Sequence, residues 1–260
     1  MIHPSAVIEE GAIIGANCKV GPFCHIGAQV RLGDGVELFS HVVIAGDTII
    51  GDETRIWPFA SIGHQPQDLK FAGEASRIEI GARCMIRESV SMNPGTEGGG
   101  GLTSIGDDCL FMLGTHVGHD CRVGNRVIMA NNASLAGHVI VEDDVIIGGL
   151  SGIHQFCKIG KGAVIGAVCM VTNDVIPYGA VIGERPDLSG LNLVGLKRRG
   201  IDKSTINGLR AAFGDVFAES GNLKDRVAHA RKEYTGNALV TEVLDFLEAD
   251  SNRSFLIPRK

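Results

Sequence analysis

Written in sixes from Ile105, residues 105–176 read IGDDCL FMLGTH VGHDCR VGNRVI MANNAS LAGHVI VEDDVI IGGLSG IHQFCK IGKGAV IGAVCM VTNDVI. Every group begins with Ile, Leu, Val, Met or Phe and carries a small residue in fifth place. Neither the 3.6-residue period of a helix nor the two-residue alternation of a simple strand sustains this pattern. A period of six is instead a signature of a β-solenoid, in which each repeat buries its apolar face only by stacking on its neighbours. Working outward, the register runs back through Ile80, Ile86 and Met92 and, nearer the start, from Ile2 to Ile62, giving 26 hexads. In 25 of them the fifth residue is Ala, Cys, Val, Thr or Ser, with Pro66 the exception, and in 16 the second is Gly or Ala.

A large residue at place one and a small one at place five would both point inward from short strands, with turns at the intervening Gly, Asn and Asp. Three hexads close one triangular coil of 18 residues, so the chain is expected to be mainly β, a parallel β-helix of about nine coils over residues 1–186. Composition agrees. The 36 glycines in 260 residues far exceed the usual ~7%, and 44% hydrophobic residues exclude disorder. All seven cysteines (Cys18, Cys24, Cys84, Cys109, Cys121, Cys157 and Cys169) fall at place five, where they read as small core residues rather than metal ligands or disulfide partners. A formal charge of −6, with no basic run interleaved with aromatics, argues against nucleic acid. No stretch of 18 apolar residues predicts a transmembrane segment, and no secretory pattern is seen, so the expected compartment is the cytoplasm.

The hexads break at Gly63–Arg77 and at Asn93–Ser104, and breaks in a solenoid tend to lie on a binding face. They stop after Pro177; residues 183–200 read as a connector into a C-terminal helical domain, taken as 187–260. There Ile206, Leu209, Phe213 and Phe217 fall at helical spacing behind Asp202 or Ser204 as caps, and Leu239, Val243, Phe246 and Leu247 form another stripe. Residues 187–260 hold 12 basic and 10 acidic residues against 12 and 20 in residues 1–186, so the helical end leans basic and could receive an acidic partner.

Position modulo 18 gives the place on the triangular cross-section. His116, His119, His138 and His154 have remainders 8, 11, 12 and 10 and line one edge over three coils. At ~4.8 Å between strands, that edge spans roughly 10 Å, the size of a sugar. Two chemistries fit. A neutral imidazole can act as general base toward a hydroxyl while the others bind substrate. Alternatively, three histidines could hold a zinc ion with an open position, as in gamma-class carbonic anhydrases built on similar hexads. A scaffold that binds a protein along one face is the third possibility.

The stretches THVGHDCRVGNRVIMANNASLAGHV and GGLSGIHQFCKIG, preceded by QDLKFAGE and IRESVSMNPGT and followed by NLVGLKRRG, resemble the acyl-ACP:UDP-N-acetylglucosamine O-acyltransferases that begin lipid A biosynthesis. The resemblance covers essentially the whole chain. It implies a left-handed β-helix, a hand that departs from the usual right-handed crossover and that the period alone does not specify. It also implies transfer of a β-hydroxyacyl chain from acyl carrier protein to the sugar 3-hydroxyl of UDP-N-acetylglucosamine, with no cofactor, no metal and no covalent acyl-enzyme, by a homotrimer with clefts between subunits. His119 matches the general base, Asp120 its orienting carboxylate and Gly137 the oxyanion donor through its N–H. His116, His138, His154 and Gln155 match sugar-binding positions, and Gln67, Asp68 and Lys70 a motif over the active site. Asn192, Arg198 and Arg199 match groups near the nucleotide phosphates and the carrier protein, and Ala167 the acyl-length ruler, where its methyl would shorten the groove modestly. Some relatives acylate a 3-amino analogue of the sugar, and the residues here accommodate either acceptor.

Overall fold

The structure, a computed structural model, describes residues 1–251 and 253–259. Its main body is a left-handed parallel β-helix whose two-residue strands stack into three sheets. The first sheet has nine strands, from Val7–Ile8 to Met170–Val171; the second has eight, from Ile13–Ile14 to Lys158–Ile159; the third has ten, from Lys19–Val20 through Gly179–Ile182 to Asp187–Leu191. Each coil visits the three in turn. The expected 18-residue offset is seen in Val7↔His25 and Ile146↔Val164. Across the first break it becomes 30 (Ile62↔Met92) and across the second 25 (Ile86↔Phe111), so 12 and 7 extra residues loop out without disturbing the phase. Strand pairing resumes at Leu102, two residues before the expected end of the second break.

From Val20 to Val171 every place-one side chain is buried, and all seven cysteines are free and buried beside them. Ile2 is 49% exposed because it lies in the first coil, which has no coil beyond it. The cysteines also do something their spacing did not announce. The ladder between coils uses the carbonyls of places one and five, as in Gly33 N–H to Ile50 O and Val7 N–H to Cys24 O at 2.8 Å each. The place-two carbonyl takes no part in that ladder and faces the core. Cys24 Sγ–H donates to Phe39 O (2.7 Å), Cys109 to Gly124 O (3.2 Å) and Cys121 to Ala136 O (3.1 Å), one coil on. Ser151 and Thr54 do the same with hydroxyls, to Gly166 O (2.8 Å) and Gly81 O (2.9 Å). A small side chain with a donor, even a weak thiol, is therefore favoured at place five on hydrogen-bonding grounds as well as volume.

The turns differ from expectation in one respect. Positive φ is carried at place four by residues as bulky as Phe23, Leu150, Phe156 and Val168 as often as by Asn or Asp. Many glycines sit at place two instead, where the next coil leaves no room; a Cβ on Gly51 would lie 2.5 Å from the Gly81 backbone.

The segment 183–200 is more structured than a connector. Gly179–Ile182 and Asp187–Leu191 form an antiparallel hairpin that ends the third sheet, so the strand beginning at residue 187 pairs with the solenoid rather than with the helices. The helices are α1 (Leu193–Arg198), α2 (Lys203–Val216), α3 (Leu223–Glu233) and α4 (Ala238–Glu248). Asp202 caps α2, accepting from Thr205 N–H at 2.9 Å. Ile206, Leu209, Leu239, Val243 and Leu247 are buried as their spacing required. The tail then returns to the solenoid, where Phe255 bridges Asp174.

Phe111 is fully buried in the middle of the prism. Truncation to Ala should lower stability by about 3–5 kcal/mol, read as a reduced denaturant midpoint with unchanged slope.

Candidate active site

The corner between the first and second sheets holds the histidines. Strand His116–Val117 lies on the first sheet and Arg122–Val123 on the second, and places three and four form the intervening turn. Those places stack coil upon coil as His119–Asp120, Gly137–His138 and Gln155–Phe156, tied by His138 N–H to His119 O (2.9 Å) and Phe156 N–H to Gly137 O (3.3 Å).

His119 and Asp120 are both buried, and His119 Nδ1 lies 2.7 Å from Asp120 Oδ2. A carboxylate oxygen only accepts, so Nδ1 carries the proton and Nε2 keeps its lone pair. The second break holds the carboxylate in place: Thr96 N–H donates to Oδ1 (2.8 Å) and Thr96 Oγ1–H to Oδ2 (2.7 Å), while Asp120 N–H donates to Thr103 Oγ1 (2.8 Å). Gly99 lies against the same carboxylate, where a Cβ would be 2.0 Å from Asp120 Cγ. Gly137 backs the imidazole; a Cβ there would meet His119 Nε2 at 2.5 Å. The Gly137 N–H makes no hydrogen bond among the described residues. The equivalent N–H groups of Asp107 and Asn125, on the corner between the second and third sheets, are capped at 2.8 Å by Asn125 and Asp143 side chains.

His138 meets the His119 ring edge to face at 5.0 Å and stacks on Phe156 at 4.5 Å. Its Nε2 is 3.8 Å from Asp120 Oδ2. Burial pushes the His138 pKa below the usual imidazole value, with the charge of Asp120 opposing that shift. Burial lowers His116 too, reinforced by His119, and its Nδ1 hydrogen-bonds Ser91 Oγ at 2.8 Å. His154 is exposed and engages Arg253.

Asp68 and Lys70, in the first break, are close enough for both charges to act on His138, so the loop with Gln67 reaches the histidine corner. Asn93 Nδ2–H binds the base of that loop through His64 O (3.1 Å) and Gln65 O (3.3 Å), and Glu97 N–H donates to Glu74 Oε1 (3.2 Å), joining the two breaks. Other expected residues are not brought to the histidines within one chain. Arg199 lies at the corner between the second and third sheets, 3.7 Å from Asp144 Oδ2 and over the Tyr178 ring. Arg198 and Asn192 line a cavity of about 710 Å³ with it. Asn192 also caps α1, accepting from Gly195 N–H at 2.9 Å and donating to Gly162 O at 3.0 Å. Ala167 is exposed at the third corner, between the third and first sheets.

Among the described residues one group has metal-ligand proximity, His119, Asp120 and His138, with donor atoms within 4.8 Å of one another. It does not fit a three-histidine zinc site. His116 is engaged with Ser91 and His154 with Arg253, and Asp120 Oδ2 already accepts from His119 and Thr96.

Thr96, Thr103, Gly99, Phe156 and Ser91 were not expected at the site. Of these, Phe156 carried a signal that counting reads, standing 18 residues on from His138, and Thr96 was marked only as a polar residue at place five of the hexad that opens the second break.

The family model described as UDP N-acetylglucosamine O-acyltransferase, domain 2, matches residues 174–256. An acyl-[acyl-carrier-protein]–UDP-N-acetylglucosamine O-acyltransferase of Rhizobium johnstonii is 48% identical over 100% of this chain and 95% of its own length. The protein of that name from Paracoccus denitrificans is 61% identical over 78% of this chain and 77% of its own. A solved UDP-N-acetylglucosamine acyltransferase superposes with a TM-score of 0.95 at 39% identity, covering 100% of both chains. The one from Campylobacter jejuni gives 0.93 at 37%, again covering 100% of both.

A methyl group on residue 137 has no space unless the His119 ring moves. Gly137→Ala should abolish the far-downfield proton resonance of the His119 Nδ1–H, while Thr96→Val should shift it upfield without loss of fold. Unchanged resonances in both variants would contradict the geometry described.

Proposed function

The chain belongs to the UDP-N-acetylglucosamine O-acyltransferase family, and on that premise we propose that it transfers a β-hydroxyacyl chain from acyl carrier protein to the 3-hydroxyl of UDP-N-acetylglucosamine, the first step of lipid A biosynthesis. The observation that carries the mechanism is the buried His119–Asp120 pair, its Nδ1 tied at 2.7 Å and its Nε2 beside Gly137.

His119 Nε2 takes the proton of the 3-hydroxyl as the oxygen attacks the thioester carbon. Asp120 holds the tautomer and stabilises the imidazolium, and the unpaired Gly137 N–H donates to the oxyanion of the tetrahedral intermediate. Collapse breaks the C–S bond, and the departing sulfur takes the proton back from Nε2. Both substrates react directly, with no acyl-enzyme. All seven cysteines are buried, which agrees with that, and burial raises the Cys121 thiol to about 12 and the Cys157 thiol to about 11, far from a working nucleophile.

His116 and His138, held uncharged near neutral pH by burial, suit hydrogen bonds to sugar hydroxyls, together with His154 and Gln155. Gln67, Asp68 and Lys70 would cover the acceptor. Asn192, Arg198 and Arg199 lie at a different corner from the histidines, and Ala167 at the third. The reading includes a homotrimer, in which a neighbouring subunit would bring another corner to the histidine edge, supplying guanidinium groups to the diphosphate and Ala167 to the end of the acyl groove. A carrier-protein donor fits a cytoplasmic setting, and no helix among the described residues is long and apolar enough to cross a membrane.

Incubation with UDP-N-acetylglucosamine and β-hydroxyacyl carrier protein should give the 3-O-acyl sugar nucleotide by mass. His119→Ala should lower turnover by at least about 100-fold with the fold intact. Full activity in that variant would sink the assignment of the base; activity lost to chelator would favour zinc, and preference for the 3-amino analogue would favour amide formation. Across a ladder of thioesters the optimum should fall below the longest chain, and Ala167→Gly should move it longer.

A further inference from the structure

The C-terminal tail reaches the histidine corner from 99 residues away in sequence. Asp174, wholly buried at the top of the solenoid, anchors it: Asp174 N–H donates to Ser254 O (2.9 Å), Leu256 N–H to Asp174 O (2.8 Å), and the Ser251 hydroxyl bonds the Asp174 carboxylate. Leu188 N–H adds a bond to Ile257 O at 3.0 Å. Pinned in this way, Arg253 spans two consecutive residues of the corner: its Nε–H donates to Gln155 O (3.2 Å) and its Nη2 lies 2.7 Å from His154 Nδ1.

That second contact determines the tautomer of His154. A guanidinium has no acceptor, so a bond to it at 2.7 Å requires a bare lone pair on Nδ1. The competing arrangement would place a proton on Nδ1 to reach Gln155 O at 3.3 Å. It would exchange a short charge-assisted bond for a long one, set two donors against each other, and crowd an oxygen that already accepts from Arg253. The imidazole therefore carries its proton on Nε2. His119 has the opposite arrangement, with Nδ1 protonated and Nε2 bare. One corner thus holds one imidazole tied as an acceptor toward ligand and another tied as a donor.

We propose that Arg253 is a positioning residue that fixes His154 as an Nε2–H donor to an acceptor oxygen of the sugar nucleotide. The ligand named here rests on the functional reading above, whereas the tautomer rests only on the contact. Arginine suits the task because its planar fork serves both acceptors at once; lysine offers one compact head that serves them in turn.

The test uses the full-length protein with ¹⁵N-labelled histidine. Long-range proton–nitrogen spectra should show His154 as the Nε2–H tautomer, and Arg253→Ala should leave a mixture. In steady-state assays Arg253→Ala should raise KM for UDP-N-acetylglucosamine about tenfold with kcat within about threefold, and Arg253→Lys should fall between it and wild type. In a His154→Ala background Arg253→Ala should add nothing to KM, because its effect passes through that ring. An Nδ1–H tautomer in the wild type, or the same KM penalty in both backgrounds, overturns the proposal; the latter would mean the tail acts only on the fold. Wild-type protein with the Nε2–H tautomer but no acylated product overturns the functional reading and the ligand assigned to His154, leaving the role of Arg253 in setting the tautomer upheld.

Discussion

A backbone that winds as a parallel coil of two-residue strands draws its ladder bonds from the coils above and below, and that ladder does not use every group. The place-two carbonyl and, except where proline stands there, the place-three N–H take no part in it. Inside the prism, thiols and hydroxyls at place five take up many of the carbonyls, as Cys24, Cys121 and Ser151 do. At the corner between the second and third sheets, carboxylates and amides cap the N–H groups: Asp34 on Ala16 (2.7 Å), Asp52 on Asp34 (2.8 Å), and Asp107 on Ala82 (2.9 Å), continuing through Asn125 and Asp143. The histidine corner has imidazoles and Gly137 where that corner has caps. A donor of the kind that is silenced by a neighbour at the capped corner is available there, which is what oxyanion chemistry requires.

The same corner carries a buried carboxylate, and burying one costs several kcal/mol unless hydrogen bonds offset the lost hydration. Asp120 receives them from His119 and twice from Thr96. Thr96 belongs to the second break, which is itself joined to the first through Glu74 and Glu97. The two interruptions of the repeat therefore form one device. One loop secures the carboxylate that orients the base, the other brings the charges of Asp68 and Lys70 to bear on the ring beside it, and neither could do so from within a strict hexad, whose residues are committed to core, ladder or turn.

Much of this was legible in the residues. The six-residue period specified the three sheets, the buried place-one column and the 18-residue stacking, because each hexad repeats one local environment. His119 beside Asp120, with Gly137 and His138 18 residues on, could be found by counting. Thr96 and Thr103 could not. Their contacts with Asp120 depend on how a glycine-rich loop closes, and the break erases the phase that made counting work. The hairpin 179–191 escapes the count because its strands abandon the hexad and pair antiparallel, and its second strand falls within the stretch 183–200 that reads as a connector. Arg253 joins His154 through a tail whose path is dictated by the packing of the helices before it, information that no local pattern holds.

The coil offset has a further consequence for the geometry of the whole molecule. Because three hexads make one revolution, residue count along the solenoid is also an angular coordinate, and the helical domain is mounted at the azimuth where the count stops. Loss of a single hexad from the last coils would shorten the prism only slightly but would swing α1 to α4 by a third of a turn relative to the histidine edge. The breaks escape this rule because their 12 and 7 extra residues leave and rejoin the prism at the same angle. Insertions in such a protein are thus of two kinds, those that make loops and those that turn the shaft.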